Sequence, residues 1–204
     1  MKKELTEPEA ALIRQGIRDK YARVAATGSG GCFQYPTGEE GLRLQVYPLE
    51  LLKDFPKSVL ESFCGVGNPF SLGPLEEGAA VLDIGCGAGV DTLVAARLVG
   101  PKGRVVGVDV TAEMVQRGQA HLALMPSVGN VSFQTADAES LPFPDNDFDV
   151  IISNGVFNLT LNKEKALKEA LRVLKPGGRL LLADMVLVAA LPPEQAGKVA
   201  NWYQ

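Results

Sequence analysis

The sequence of 204 residues predicts an α/β fold: a Rossmann-like parallel sheet with an N-terminal helical cap. Three observations carry that expectation. The apolar run Val81-Leu-Asp-Ile84 leads straight into a glycine loop, Gly85-Cys-Gly-Ala-Gly89. Four more apolar runs follow, alternating with helical stretches, which is the pattern of a parallel sheet with right-handed crossovers. Polar residues close those runs where ligands of such sheets gather, at Asp109, Asp137 and Asn154.

At the N-terminus, Thr6-Glu7-Pro8-Glu9 reads as a capping box with proline in the first turn, and Ile13, Ile17, Tyr21 and Val24 recur at helical spacing. One amphipathic helix is expected there. A glycine-rich loop over 26–31 releases it into Cys32-Phe-Gln-Tyr35, and two helices are expected near Pro48–Phe55 and Lys57–Phe63. Residues 1–70 are thus expected to form a helical cap or lid and residues 71–204 the sheet domain. After the glycine loop come a helix over 91–98, a strand Arg104–Asp109, and a helix that carries Met114 and His121, with Thr111 as its cap and His121 on its surface. Strands Val131–Thr135 and Phe148–Ser153 follow, and Lys175-Pro-Gly-Gly is expected to turn into a fifth strand at Arg179.

The glycine loop suits an adenosine-bearing ligand. Gly85 permits the turn, Gly87 lets a ligand approach the backbone, and Gly89 lets the next helix pack closely. A dinucleotide fingerprint is G-x-G-x-x-G, whereas here the third glycine comes one residue early, and Asp83 sits where it would repel a phosphate. An acid there suits an amine. Asp109, about 20 residues on, is placed to accept from both ribose hydroxyls, and Asp137 is placed to accept from the adenine amino group. S-adenosyl-L-methionine meets these conditions: it carries a sulfonium and an ammonium and no phosphate.

Val81 to Val186 resembles the class I S-adenosylmethionine-dependent methyltransferases and, within them, the arsenite methyltransferases. The stretches that carry the likeness are 81–92, 103–111, 141–154 and the pair Asn158-Leu159. The resemblance implies that Asp83 serves the methionine amino group, that Gly85, Cys86 and Gly87 approach the cofactor through their backbone, and that Asp109 holds the ribose. It further implies Val110 and Met114 on the adenine faces, Asp137 and Ala138 at its edge, and Asn154 at the rim between cofactor and acceptor. Tyr35 is a candidate to lie over the methionine end. A sheet of this class has seven strands, and the residues after Val186 are too few for a helix and two more; the last two strands are expected to be lacking. A partner chain or a second copy would then cover the fifth-strand edge.

Arsenite chemistry needs cysteines, because trivalent arsenic is a soft centre that thiolates bind. Of the two family positions that fall within this chain, one is occupied by Gly155, after Ser-Asn, and the other by Val66, between two glycines. Cys32 and Cys64 are the candidates to substitute, so the acceptor is either arsenite, as a thiol-bound soft centre, or an ordinary carbon, oxygen or nitrogen on a small molecule. A cofactor-binding subunit without turnover is the third reading.

Composition excludes other classes. Net charge is −4, from 20 basic and 24 acidic residues with no basic run, so nucleic acid is not an expected partner. No apolar run reaches the length of a membrane span. A single histidine, His121, leaves no serine-histidine-acid set and no zinc spacing. Three cysteines and no signal peptide fit a reducing, cytoplasmic setting.

Overall fold

The computed structural model describes residues 5–28, 30–188 and 202. Its centre is a sheet of five strands: β1 (Ala80–Ile84), β2 (Arg104–Asp109), β3 (Val131–Thr135), β4 (Phe148–Asn154) and β5 (Leu174–Ala183). All neighbours pair in parallel, in the order β3-β2-β1-β4-β5. The strand order reverses between β1 and β4, and that is where the carboxyl ends of an open sheet leave a crevice.

A parallel sheet must be covered on both faces, and side chains alternating along each strand divide the core in two. On one face Val81, Val105, Val150 and Ile152 pack with helix α5 (Val90–Val99). On the other, Leu82, Ile84, Val106 and Ile151 pack with Ala166, Ala170 and Val173 of α7 (Lys163–Val173). Helix α6 (Ala112–Ala123) lies beside β2 and β3.

The N-terminal segment supplies α1 (Glu7–Thr27), α2 (Gly38–Leu44), the short turns α3 (Leu49–Leu52) and α4 (Lys57–Leu60), and a 3-10 turn over Pro69–Leu72. Thr6 and Glu9 make the capping box expected at α1: the Thr6 hydroxyl accepts from the Glu9 amide, and the Glu9 carboxylate accepts from the Thr6 amide at 2.8 Å. Leu42, Tyr47, Leu52, Phe55 and Phe63 belong to the same apolar cluster as β1 and α5. Much of residues 1–70 is therefore a layer laid on the sheet domain's own core.

Four expectations change. Helix α2 was not expected, since Gly38 and Gly41 disfavour a helix; Gly41 is needed because a Cβ there would stand 2.7 Å from the Pro36 carbonyl oxygen. Strand β5 starts at Leu174 rather than after the glycine pair: Phe148 pairs with Leu174 and Val150 with Arg179, so the residues between bulge within the strand. Thr111 is the N-cap of α6, yet its side chain makes no cap hydrogen bond. His121 is buried, 2 % exposed, instead of on the helix surface. Its Nδ1 lies 2.9 Å from the Ala88 carbonyl oxygen of the glycine loop, and burial lowers its pKa, so the ring is neutral and donates there. The segment expected to lack the last two strands lies largely outside the described residues; among the described residues β5 and β3 are the sheet's two edges. No helix among the described residues is long and apolar enough to cross a membrane.

Candidate active site

At the carboxyl ends of β1, β2 and β4 the backbone opens into a cavity of about 970 Å³ of empty space, its open mouth included. The floor is Ile84, Gly85 and Gly87. One wall is Val108 to Thr111, the facing wall Ala136 to Glu139, and the third Asn154 to Val156 with Leu159 to Leu161. The roof is α1, which presents Arg14, Ile17, Arg18 and Tyr21. A ligand of this cavity is thus held between four strand ends and the first helix.

The loop geometry follows from its glycines. Gly85, with φ of +74°, turns the chain out of β1 so that its amide and that of Cys86 both donate to the Val108 carbonyl, at 2.8 and 2.9 Å. At Gly87, φ +51°, a Cβ would meet no heavy atom within 4 Å, so the open space above it is room for a ligand against the backbone. The Gly87 amide donates to Asp109 Oδ2 at 2.9 Å, and the Thr111 amide donates to Oδ1 at 2.8 Å. Burial raises the Asp109 pKa, and these amides work against it. The carboxylate is fixed facing the cavity by the loop it serves.

A second, smaller cavity adjoins the first. Cys64, Gly85, Gly87 and Asn154 line both, and Asp83 and Asp91 line the second. Asp83 is 2 % exposed and accepts from the Thr92 hydroxyl at 2.6 Å. Asp91 accepts from the Tyr47 hydroxyl at 2.6 Å and from Asn154 Nδ2 at 3.0 Å. Burial and the mutual repulsion of the two acids push the Asp83 pKa well up, and burial carries Asp91 up to about 6.

Of the residues expected around a cofactor, Gly85, Gly87, Asp109, Val110, Asp137, Ala138 and Asn154 line the main cavity. Asp83 and Cys86 line the smaller one. Three roles need correction. Met114 is not among the lining residues: it is 1 % exposed and packs with Val24 and Ala88 beneath α1. Cys86 turns its sulfur toward Val115 and Phe133, and its amide is already used by Val108. Tyr35 is not among the residues lining these two cavities; its hydroxyl donates to the Cys64 carbonyl at 3.0 Å and its ring lies 5.2 Å from Phe33.

The two candidate thiols separate. Cys64 reaches both cavities, whereas Cys32 packs against the cluster of Val24, Ala88 and Met114, beside Tyr21 and Phe33. Burial, with Asp109 and Asp91 nearby, pushes the Cys64 thiol up to about 12, so it is protonated at neutral pH. The two positions at which the arsenite resemblance implies cysteine face one another here: a Cβ at Gly155 would touch Val66 Cγ1 and Cγ2 at 3.4 Å.

Asn154 does more than expected of a rim residue. Its Oδ1 accepts from the Val66 and Gly67 amides at 2.8 and 3.1 Å, and its Nδ2 donates to the Gly67 carbonyl at 2.8 Å as well as to Asp91. It pins the loop after α4 to the end of β4. Sequence reasoning missed Asp91, Tyr47 and the α1 arginines. Arg14, Arg18 and Tyr21 share the face marked by Ile17, so the helical spacing carried that signal; nothing local announces the pairing of Tyr47 with Asp91.

A model of the methyltransferase domain matches residues 75–204. An arsenite methyltransferase of Halobacterium salinarum is 33% identical over 194 residues, 89% of this chain and 49% of that protein. A ubiquinone/menaquinone biosynthesis C-methyltransferase of Pasteurella multocida is 49% identical over 130 residues, 63% of this chain and 47% of its own. Among solved structures, an arsenic (III) S-adenosylmethionine methyltransferase of Chlamydomonas reinhardtii superposes with a TM-score of 0.63 at 37% identity, over 74% of this chain and 55% of that one. A SAM-dependent methyltransferase of Aquifex aeolicus gives a TM-score of 0.55 at 29% identity, over 76% of this chain and 75% of its own. The chain spans about half the length of the curated relatives it matches. A parallel sheet with a glycine loop at its switch point and a carboxylate closing the second strand, matched over residues 75–204 by that model, makes the chain a member of the methyltransferase domain family, of the class I S-adenosylmethionine-dependent kind and near the arsenite methyltransferases.

Proposed function

We propose that this chain transfers the methyl group of S-adenosylmethionine to an ordinary carbon, oxygen or nitrogen atom of a small, largely apolar acceptor. The observation that carries the choice of acceptor is that Gly155 and Val66 face one another, a Cβ on Gly155 reaching Val66 at 3.4 Å, so that no pair of sulfurs stands at the two positions where the arsenite resemblance implies cysteine. Val156, Leu159 and Leu161 continue that apolar wall. The 49% identity to a C-methyltransferase over 130 residues points the same way.

The cavity fits the cofactor. Asp109 faces the main cavity for the ribose, Asp137 and Ala138 stand at the far wall for the adenine edge, and the space over Gly87 leaves room for close approach. Acids rather than lysine or arginine line the small cavity by the glycine loop, which suits an ammonium and repels a phosphate. The cofactor, when bound, supplies a methyl group already activated on a sulfonium. What remains for the protein is alignment and the exclusion of water. Helix α1 closes the roof with Ile17 and Tyr21, and Asn154 fixes the loop that carries Cys64 and Val66. No histidine is needed as a base in this arrangement, and His121 is turned into the core.

Calorimetric titration tests the assignment of Asp109. Asp109→Ala is expected to lose about 1–3 kcal/mol of S-adenosylmethionine affinity through its charge-assisted hydrogen bonds. An unchanged dissociation constant would remove Asp109 from the ribose site. Mass spectrometry of turnover mixtures tests the acceptor: methylated small-molecule phenols, quinols or amines are expected, and arsenite with thiol is expected to give no methylated product. Methylated arsenic that disappears in a Cys32→Ser, Cys64→Ser double variant would establish the arsenite reading instead. Binding of the cofactor with no turnover of any acceptor would mark a subunit of a larger assembly. The β5 edge, with Met185 50% and Val186 82% exposed beyond it, is where a partner chain or second copy would sit in that case. The reduced cysteines fit a cytoplasmic setting for either reading.

A further inference from the structure

Helix α6 does more than lie beside β2 and β3. Met114, Gly118 and His121 recur at i, i+4 and i+7 and share one face of the helix, and that face meets the glycine loop. Met114 packs with Ala88. A Cβ built on Gly89 would stand 3.5 Å from Gly118 Cα, so helix and loop approach there backbone to backbone. His121 Nδ1 lies 2.9 Å from the Ala88 carbonyl oxygen. Among the described residues no backbone amide outside the regular helices and strands donates to that carbonyl, and the ring is its partner. Gly87 is thereby tied on both sides: its own amide donates to Asp109 Oδ2 at 2.9 Å, and the carbonyl that follows it is held by His121. Asp109 and His121 belong to one continuous segment, the end of β2 and the helix after it, so that segment grips the loop on either side of the residue over which the main cavity opens.

The other ring nitrogen shows what this bond is for. Nε2 is buried and has no hydrogen-bond partner. Burial, with Arg117 nearby, disfavours the charged ring, and a neutral ring that donates through Nδ1 leaves Nε2 a bare acceptor. An apolar side chain of similar size would avoid that cost. What the histidine supplies in return is its single bond to the loop.

We propose that His121 is a positioning residue of the cofactor site: its Nδ1–H fixes the Ala88 carbonyl, holds Gly87 between α6 and Asp109, and so sets the glycine loop in its binding form before S-adenosylmethionine arrives. This rests on the S-adenosylmethionine reading above. His121 is not among the lining residues of either cavity, so it acts through the loop and takes no part in the methyl transfer. A loop with left-handed glycines at 85, 87 and 89 has many other conformations open to it, and each bond that removes them lowers the ordering cost of binding.

His121 is the only histidine of the chain, so its ring is read by NMR without assignment. A proton–nitrogen correlation spectrum of the whole chain at neutral pH is expected to show a neutral ring protonated at Nδ1 and bare at Nε2. Titration calorimetry then separates positioning from stability. His121→Leu is expected to weaken S-adenosylmethionine about three- to tenfold, while Tm moves little, because the lost bond to Ala88 is offset by removal of the unpaired Nε2. His121→Asn, whose side-chain amide nitrogen stands where Nδ1 stood, keeps the donor and should bind within about twofold of the unaltered chain. Met125→Ala opens the core just beyond α6, away from the loop; it should lower Tm clearly and leave affinity within about twofold. A ring protonated at Nε2 overturns the role given to His121. So does unchanged affinity in His121→Leu, equal weakening by Leu and Asn, or an affinity that merely follows Tm across His121→Leu and Met125→Ala, since packing alone would then account for it. All of these leave cofactor binding itself standing. No S-adenosylmethionine binding by the unaltered chain overturns the cofactor reading, and this role with it.

Discussion

Replacing Gly85 by alanine is expected to lower the stability of the fold by about 2–5 kcal/mol and to weaken cofactor binding at least tenfold. Two costs add. A residue with a Cβ is disfavoured at φ of +74°, and the new Cβ would stand 2.1 Å from Val156 Cγ2 and 2.6 Å from Cγ1. Neither can be relaxed cheaply, because the Gly85 amide is bonded to Val108 and Val156 follows directly on the Gly155 amide's bond to Ala183. For a chain of this length each kcal/mol corresponds to about 2–4 °C in Tm, so a fall of about 4–20 °C by differential scanning calorimetry is expected. A second substitution, Val156→Ala, removes the two closest clashes and leaves the Val156 Cβ at 2.9 Å together with the backbone cost. It should restore part of the loss and not all of it. Full rescue would show that neither the turn's left-handed backbone nor the remaining Cβ contact carries a cost.

Asn154→Ala is expected to be nearly as damaging, for the opposite reason: it removes partners rather than adding atoms. The Val66 and Gly67 amides, the Gly67 carbonyl and Asp91 Oδ2 all lose their bond to one side chain. Leaving a buried polar group unpaired costs about 1–3 kcal/mol, and water at the cavity recovers part of it, so a net loss of about 2–4 kcal/mol follows. The consequence reaches the site. Without Asn154 the loop that carries Cys64 is no longer held to β4, and Asp91 loses a donor that keeps its pKa near about 6. Cofactor affinity at neutral pH should fall together with Tm. If Asn154→Ala lowers neither, the side chain is not the clasp described here.

What the sequence showed directly was local. The ends of the first four strands, the turn at Gly85 and the acid at Asp109 announce themselves because each sits at the junction of an apolar run with a polar or glycine residue. The capping box at Thr6 is similarly readable, since both partners lie within one turn. What stayed hidden depends on distance along the chain. Tyr47 meets Asp91 across 44 positions and Asn154 meets Gly67 across 87, so the loop before the sheet acquires its role only once it is folded onto β4. The family resemblance implied Met114 on an adenine face, yet α1 covers it and it packs with Val24 and Ala88 instead. His121 is buried because the Ala88 carbonyl beside the glycine loop needs a donor, which helical position alone does not reveal. Cys32 and Cys64, both ahead of the sheet in sequence, part company for the same reason: one packs under α1 and the other faces the cavities.

The proposed choice of an ordinary acceptor over arsenite rests on two facing positions. A Cβ on Gly155 would stand 3.4 Å from Val66 Cγ1 and Cγ2, and neither position carries a sulfur. Fold and cofactor chemistry are common to a family, while the acceptor is set by the few side chains beside the methyl group.

A crystal structure grown with S-adenosylhomocysteine, the demethylated cofactor, tests the central claim most directly. The nucleoside should lie over Gly87 with its ribose hydroxyls on Asp109, its adenine edge at Asp137 and Ala138, and its amine in the small cavity beside Asp83 and Asp91. Density for the ligand elsewhere, or a cavity closed by side chains with the ligand excluded, would contradict it.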